Sequence, residues 1–141
     1  MVSKQKVLFV CTGNSCRSQI AEGLLNKMAA KYFEVYSAGS HPSRVHPNEI
    51  SVMKEINIDI SNHTSNSVVE YLNTGIDIVI TVCENANLAC PIFPKKTMKI
   101  HWSIDDPFEG WDEDEEHLTN FRKARTDLQG HIKKLNEMEL S

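Results

Sequence analysis

The chain has 141 residues, with 15 Lys and Arg against 19 Asp and Glu and a net charge of −4. That length suits one domain with its own core, and the lack of any basic cluster argues against a nucleic-acid partner. The first apolar run, Val7-Leu8-Phe9-Val10, is too short for a membrane span or a secretory signal, so a cytoplasmic protein with reduced cysteines is expected.

Val7 to Val10 reads as a strand buried on both faces. A loop rich in Gly, Ser and Cys follows from Cys11 to Ser18. Ile20, Leu24 and Met28 then fall at the spacing of one helix face. Phe33 to Ser37 reads as a second strand, closed by Ala38-Gly39-Ser40. Pro47 opens a second helix, with Ile50, Met53 and Ile56 on one side. Ile76 to Val82 is a third buried strand and Met98 to Trp102 a shorter fourth. From Asp112 a long helix is predicted, with Leu118, Phe121, Arg125, Leu128, Ile132 and Leu135 at helical spacing. The acidic run Asp112 to Glu116 suits the positive end of its dipole. The alternation predicts an α/β fold, a single domain over 1–141 with a four-stranded parallel sheet and helices on both faces. Ligands in such sheets bind at the carboxyl ends of the strands. Three segments meet there: the loop after Val10, the segment after Val82 and the loop after Trp102.

The first of these is Cys11-Thr12-Gly13-Asn14-Ser15-Cys16-Arg17-Ser18. A loop of this length can turn successive N–H groups inward as a nest for an oxyanion, and the helix that follows adds positive potential. Arg17 can grip two oxygens at once. These effects favour the thiolate of Cys11, which makes it a nucleophile. Gly13 lets the ligand approach closely, and Ser18 is placed to donate to the Cys11 sulfur or to cap the helix. Cys16 lies inside the loop and reads as structural.

Two further segments carry chemistry. Asp105-Asp106-Pro107 follows the fourth strand; taken alone it is a turn, and Pro107 restricts the residue before it. Cys83 follows the third strand directly, and Cys90 comes seven positions later, before Pro91. Two thiols beside a nucleophilic Cys are able to supply two electrons, whereas simple ester hydrolysis needs neither. A helix over 83–90 would separate their Cα atoms by roughly 10 Å, and a disulfide needs them within about 7 Å. Joining them therefore requires the segment to unwind. A zinc site is disfavoured, since no Cys-x2-Cys pair is present and the His spacings do not match.

The loop resembles that of the low-molecular-weight protein tyrosine phosphatases, and the longer stretch from Cys11 to Glu22 resembles the thioredoxin-coupled arsenate reductases that share their fold. Ser37-Ala38-Gly39, Ile60 to Ser65, the Cys83–Cys90 pair with Pro91, and His101-Trp102 through Pro107 extend the likeness along nearly the whole chain. The resemblance implies that Thr12 to Ser18 bind arsenate or a phosphate-like oxyanion, that Cys11 attacks it and that Asp106 is the general acid. It implies a transient Cys11–Cys83 disulfide, then a Cys83–Cys90 disulfide passed to thioredoxin, with no tightly bound cofactor. Some relatives hold potassium through residues corresponding to Asn14, Glu22, Ser37 and an acid; Asn66 stands in the acid's place here. The alternative is a phosphatase acting on aryl phosphates, which would use Cys11, Arg17 and Asp106 and leave Cys83 and Cys90 idle. That pattern usually has tyrosine after the Asp-Pro pair, where this chain has Phe108.

Overall fold

A computed structural model of the protein describes residues 4–14, 16–84, 90–94, 96–108, 110–111 and 114–140. Four parallel strands form one sheet: β1 (Gln5–Cys11), β2 (Phe33–Gly39), β3 (Ile78–Thr81) and β4 (Met98–His101), in the order β2-β1-β3-β4. Among the described residues the helices are α1 (Arg17–Ala29), α2 (Pro47–Lys54) and α3 (Glu115–Leu140), with a 3₁₀ turn at Val68–Tyr71.

β1 and β3 hold the centre. Val7 to Cys11 and Ile78 to Thr81 are buried without a break, the pattern of strands covered on both faces. Ser37 of β2 reaches Glu22 on α1. Tyr36, one step away and so on the opposite face, packs its ring 5.5 Å from that of Tyr71 in the 3₁₀ turn. α3 crosses α1 and α2, burying Phe121, Ala124, Leu128, Ile132 and Leu135. The order of the sheet reverses between β1 and β3, and the crevice at such a reversal is where these folds bind ligands.

Several boundaries differ from the sequence expectation. β1 and β2 each extend beyond their apolar runs, and β4 ends at His101 rather than Trp102. The third strand is Ile78–Thr81, shorter than the buried run around it; Ile76 and Val82 stay buried outside it. α3 begins at Glu115; Asp112 lies outside the described residues. Met28 is 45% exposed, not part of the buried face. Eight helical steps turn a side chain by about 80° from its starting direction, so the stripe begun at Ile20 and Leu24 continues through Leu25 and Ala29 instead.

One glycine fixes the position of the crevice. A Cβ on Gly39 would lie 2.6 Å from Thr12 O and 2.8 Å from Asn14 N, so only glycine lets β2 end against the loop that follows β1.

Candidate active site

Asn14 organises the loop between β1 and α1. It sits at φ 48°, the left-handed region that Asn tolerates better than most residues. Its carbonyl accepts from Gln19 Nε2 (3.0 Å) and Ser65 Oγ (2.7 Å), and its Oδ1 accepts from Asn66 N (2.9 Å). Gln19 also donates to Thr64 O (2.9 Å) and pairs with His63 Nδ1 (3.0 Å). The stretch from His63 to Asn66 is therefore a clamp that holds the loop in an otherwise unfavourable turn. Ser15 lies outside the described residues.

The clamp continues to the nucleophile. Asn14 Nδ2 donates to Ser18 Oγ (2.8 Å), which leaves the Ser18 hydroxyl hydrogen for Cys11 Sγ, 2.8 Å away. Of the two roles open to Ser18, the structure uses this one; Cys16 occupies the cap position of α1, with no side-chain capping bond. That hydrogen bond fixes the sulfur at the floor of the loop. Thr12 and Gly13 turn their carbonyls outward to His41 N (2.8 Å) and Ser43 N (2.9 Å). Cys16 is buried against Val52 and Phe121.

Arg17 opens α1 and faces the acid loop. Its Nη1 donates to Ile104 O (2.9 Å), and its Nη2 lies 3.5 Å from Asp106 Oδ2. Asp106 Oδ1 accepts from Phe108 N (3.0 Å), a turn that Pro107 stiffens. Asp105 stands beside it at the surface. Cys11, Arg17, Asp106 and Cys83 line one cleft of about 550 Å³, together with Thr12, Gly13 and Cys16.

Cys83 is buried at the end of β3, with Sγ 3.3 Å from Thr12 Oγ1. Next to it Glu84 reaches His101 Nε2 (2.9 Å), whose Nδ1 meets Thr81 Oγ1 (2.8 Å). Cys90 is elsewhere. It is half-buried in a smaller cavity of about 230 Å³ with Val79, Pro91, Ile92, Phe93, Thr97 and Lys99. Burial pushes the Cys90 thiol up, against a smaller opposing effect of Lys99. No disulfide joins any of the four cysteines. Residues 85–89, where the relay segment was expected to unwind, lie outside the described residues.

An aromatic wall stands at the mouth. Phe108 and Trp111 line the cleft, 5.2 Å apart and edge to face. His46 stacks on Trp111 from below at 4.7 Å, and the Arg44 guanidinium lies 3.9 Å above the same ring. His46 Nδ1 accepts from Asn48 N (3.0 Å), so its Nε2 carries the hydrogen that meets Gly110 O (2.7 Å). Gly110 takes φ 108° to present that carbonyl. No local pattern announces this cluster, because its members come from residues 44–46, 108–111 and α3.

The residues that correspond to potassium ligands in some relatives do not fit a resident cation here. Asn14 Oδ1 is taken by the Asn66 N–H, Ser37 donates its hydroxyl to Glu22, and Asn66 brings no charge. Burial raises Glu22 above the ordinary carboxylate value, which weakens it further as a ligand.

The family model described as low molecular weight phosphotyrosine protein phosphatase matches residues 6–140. An arsenate reductase of Halalkalibacterium halodurans is 41% identical over 136 residues, 96% of this chain and 98% of that protein. Arsenate reductase 2 of Staphylococcus haemolyticus is 46% identical over 106 residues, 75% of this chain and 81% of that protein. Among solved structures, an arsenate reductase in its oxidized state superposes with a TM-score of 0.79 at 34% identity, covering 93% of this chain and 95% of that one. A thioredoxin-dependent arsenate reductase of Corynebacterium glutamicum superposes with a TM-score of 0.74 at 29% identity, covering 96% of this chain and 61% of that one.

Proposed function

We propose, for a chain that belongs to the low molecular weight phosphotyrosine protein phosphatase family and to the arsenate reductases within it, a relay run by Cys11, Cys83 and Cys90. The reaction is the two-electron reduction of arsenate to arsenite. The observation that carries the relay is the single cleft shared by Cys11, Arg17, Asp106 and Cys83.

In this reading the backbone N–H groups of the loop and the Arg17 guanidinium hold the oxyanion over Cys11. The Cys11 thiolate attacks arsenic, and Asp106 delivers a proton so that the displaced oxygen leaves as water. The Cys83 thiolate then attacks Cys11 Sγ. The sulfur–arsenic bond breaks with its electron pair on arsenic, arsenite leaves, and a Cys11–Cys83 disulfide remains. The Cys90 thiolate attacks Cys83 Sγ and expels Cys11 as thiolate. An external dithiol reduces the Cys83–Cys90 disulfide. Thioredoxin is the reading for that donor: a structural neighbour is described as thioredoxin-dependent, and Ile92, two residues beyond Cys90, is 97% exposed for contact. The cycle needs no tightly bound cofactor. A cytoplasmic setting keeps the thiols reduced, and among the described residues no helix is long and apolar enough to cross a membrane.

The test is arsenate-dependent NADPH oxidation with thioredoxin and thioredoxin reductase. Wild type turns over, and Cys83→Ser and Cys90→Ser each stop after at most one cycle. Sustained turnover in either variant contradicts the relay.

One observation favours a second activity at the same site. Phe108 and Trp111 offer flat apolar walls beside the oxyanion loop, which suits an aryl phosphate. Hydrolysis of such an ester needs Cys11, Arg17 and Asp106 but no relay.

A further inference from the structure

Asp106 is carried by chain that has little structure of its own. The described residues after β4, 102–108 and 110–111, form neither helix nor strand, and the Asp106 side chain is 54% exposed. Packing around the carboxyl therefore does not place it; the fixed points on either side do. Upstream the fixed point is Ile104, buried and with its carbonyl held by Arg17 Nη1. Downstream it is one side chain from a distant segment, His46, fully buried at the cap of α2. The first turn of that helix is buried with it, Asn48 and Glu49 included.

Three contacts run from this imidazole to the acid loop. Its Nε2–H donates to Gly110 O (2.7 Å), its ring stacks on Trp111 at 4.7 Å and 12°, and it meets the Phe108 ring nearly at right angles, 5.7 Å away. Two more hold the imidazole from behind. Nδ1 accepts from Asn48 N, and the Phe121 ring of α3 lies 4.7 Å away. Phe108 completes the path to the acid, because its N–H donates to Asp106 Oδ1 (3.0 Å). The choice of residue matters. Asn, Ser or Asp caps a helix start well, but each is short and offers no aromatic face. An imidazole caps with one nitrogen and still has a donor and a flat ring for a second segment.

We propose that His46 is a positioning residue for the general acid: it ties the downstream half of the acid loop to the core and so holds the Asp106 carboxyl over the cleft. The proposal rests on the reading of Asp106 as the acid that protonates the departing oxygen. His46 does not line the cleft and exchanges no proton with the substrate. It acts through Gly110, Phe108 and Trp111, whose own side chains, where they have them, are more than a third exposed and so are only partly held by packing. A proton donor works only within hydrogen-bond reach of the leaving atom, so a loop freed at this end slows the step that needs the acid and leaves the nucleophile as it was.

The experiment is the rate of first-turnover arsenite release from the reduced full chain without external reductant. The proteins are wild type, Asp106→Asn, His46→Asn, Gly110→Ala, and His46→Asn combined with Asp106→Asn. Asn at 46 keeps a helix cap but lacks the ring and the reach to Gly110. Gly110→Ala disturbs the same contact from the loop, where φ 108° is strained for alanine although an added Cβ meets nothing within 4 Å. Asp106→Asn is expected to slow release about a hundredfold, and His46→Asn and Gly110→Ala about tenfold each. In the Asp106→Asn background His46→Asn should add nothing, because the group it positions is already gone. Iodoacetamide alkylation of Cys11, read at its peptide by mass spectrometry, should stay within about twofold of wild type in both single variants at 46 and 110. Wild-type release by His46→Asn overturns the proposal, as does a further loss in the double variant or a parallel fall in Cys11 alkylation. Wild-type release by Asp106→Asn overturns the acid reading itself, and the proposal with it.

Discussion

Cys11 and Cys90 stand at the two ends of the proposed relay, and their surroundings differ in kind. Cys11 leaves a central strand and is fixed by a chain of buried bonds through Ser18, Asn14 and Gln19 to the segment at 63–66. Cys90 lies beside the edge strand β4, half-buried, two residues before the exposed Ile92. The difference follows from what each thiol must meet. An oxyanion is small and charged, and it is stabilised best by donors that are already in place. A reductant is another protein, and it needs a thiol near an edge that it can reach.

Substitutions at the two ends should therefore separate two activities. Cys11→Ser is expected to lose both arsenate reduction and aryl phosphate hydrolysis, each by roughly 10³-fold or more. Cys90→Ser should lose only repeated arsenate turnover and keep aryl phosphate hydrolysis within about twofold. Steady-state assays of both substrates measure this, and a parallel loss in Cys90→Ser would erase the contrast. Ser18→Ala sharpens it on one side. Removing a hydrogen bond to a charged sulfur should lower Cys11 alkylation at neutral pH by about tenfold. Cys90 alkylation in the same sample should not change, and an equal fall at both thiols would point to general unfolding instead.

The smallest effect is expected away from both thiols. Arg122 and then Arg125 hold Glu55 at about 2, below its ordinary 4.5. A carboxylate lowered on folding stabilises the protein above its unfolded value, so this contribution is present at neutral pH and is lost as pH falls from about 4.5 towards about 2. Water screens the exposed pairs, so Glu55→Gln should cost under about 1 kcal/mol at neutral pH. It should flatten the acid side of the stability curve in denaturant titrations and leave arsenate reduction unchanged.

The parts of this account that sequence made legible are local ones. The run from Val7 to Ser18 carries strand, loop and helix start within a dozen residues, Cys83 directly follows the third apolar run, and Asp106 lies shortly after the fourth strand. What stayed hidden depends on distant segments meeting. Gly39 looked like the close of a strand until its missing Cβ was seen to make room for Thr12 and Asn14. Nothing in its own segment marks His63, yet through Gln19 it belongs to the clamp on the loop. Phe108 looked like the loss of a tyrosine, whereas with Trp111 it makes an aromatic wall. Glu49 resembled any acidic residue in a first helical turn, because burial is not written in the helix that carries it.

The most direct test of the relay is a single turnover of Cys90→Ser with arsenate and no external reductant, followed by disulfide mapping and arsenite quantitation. One arsenite per chain, with Cys11 joined to Cys83, is the result the relay predicts. Arsenite release with Cys83 still a free thiol, or no arsenite at all, would contradict it.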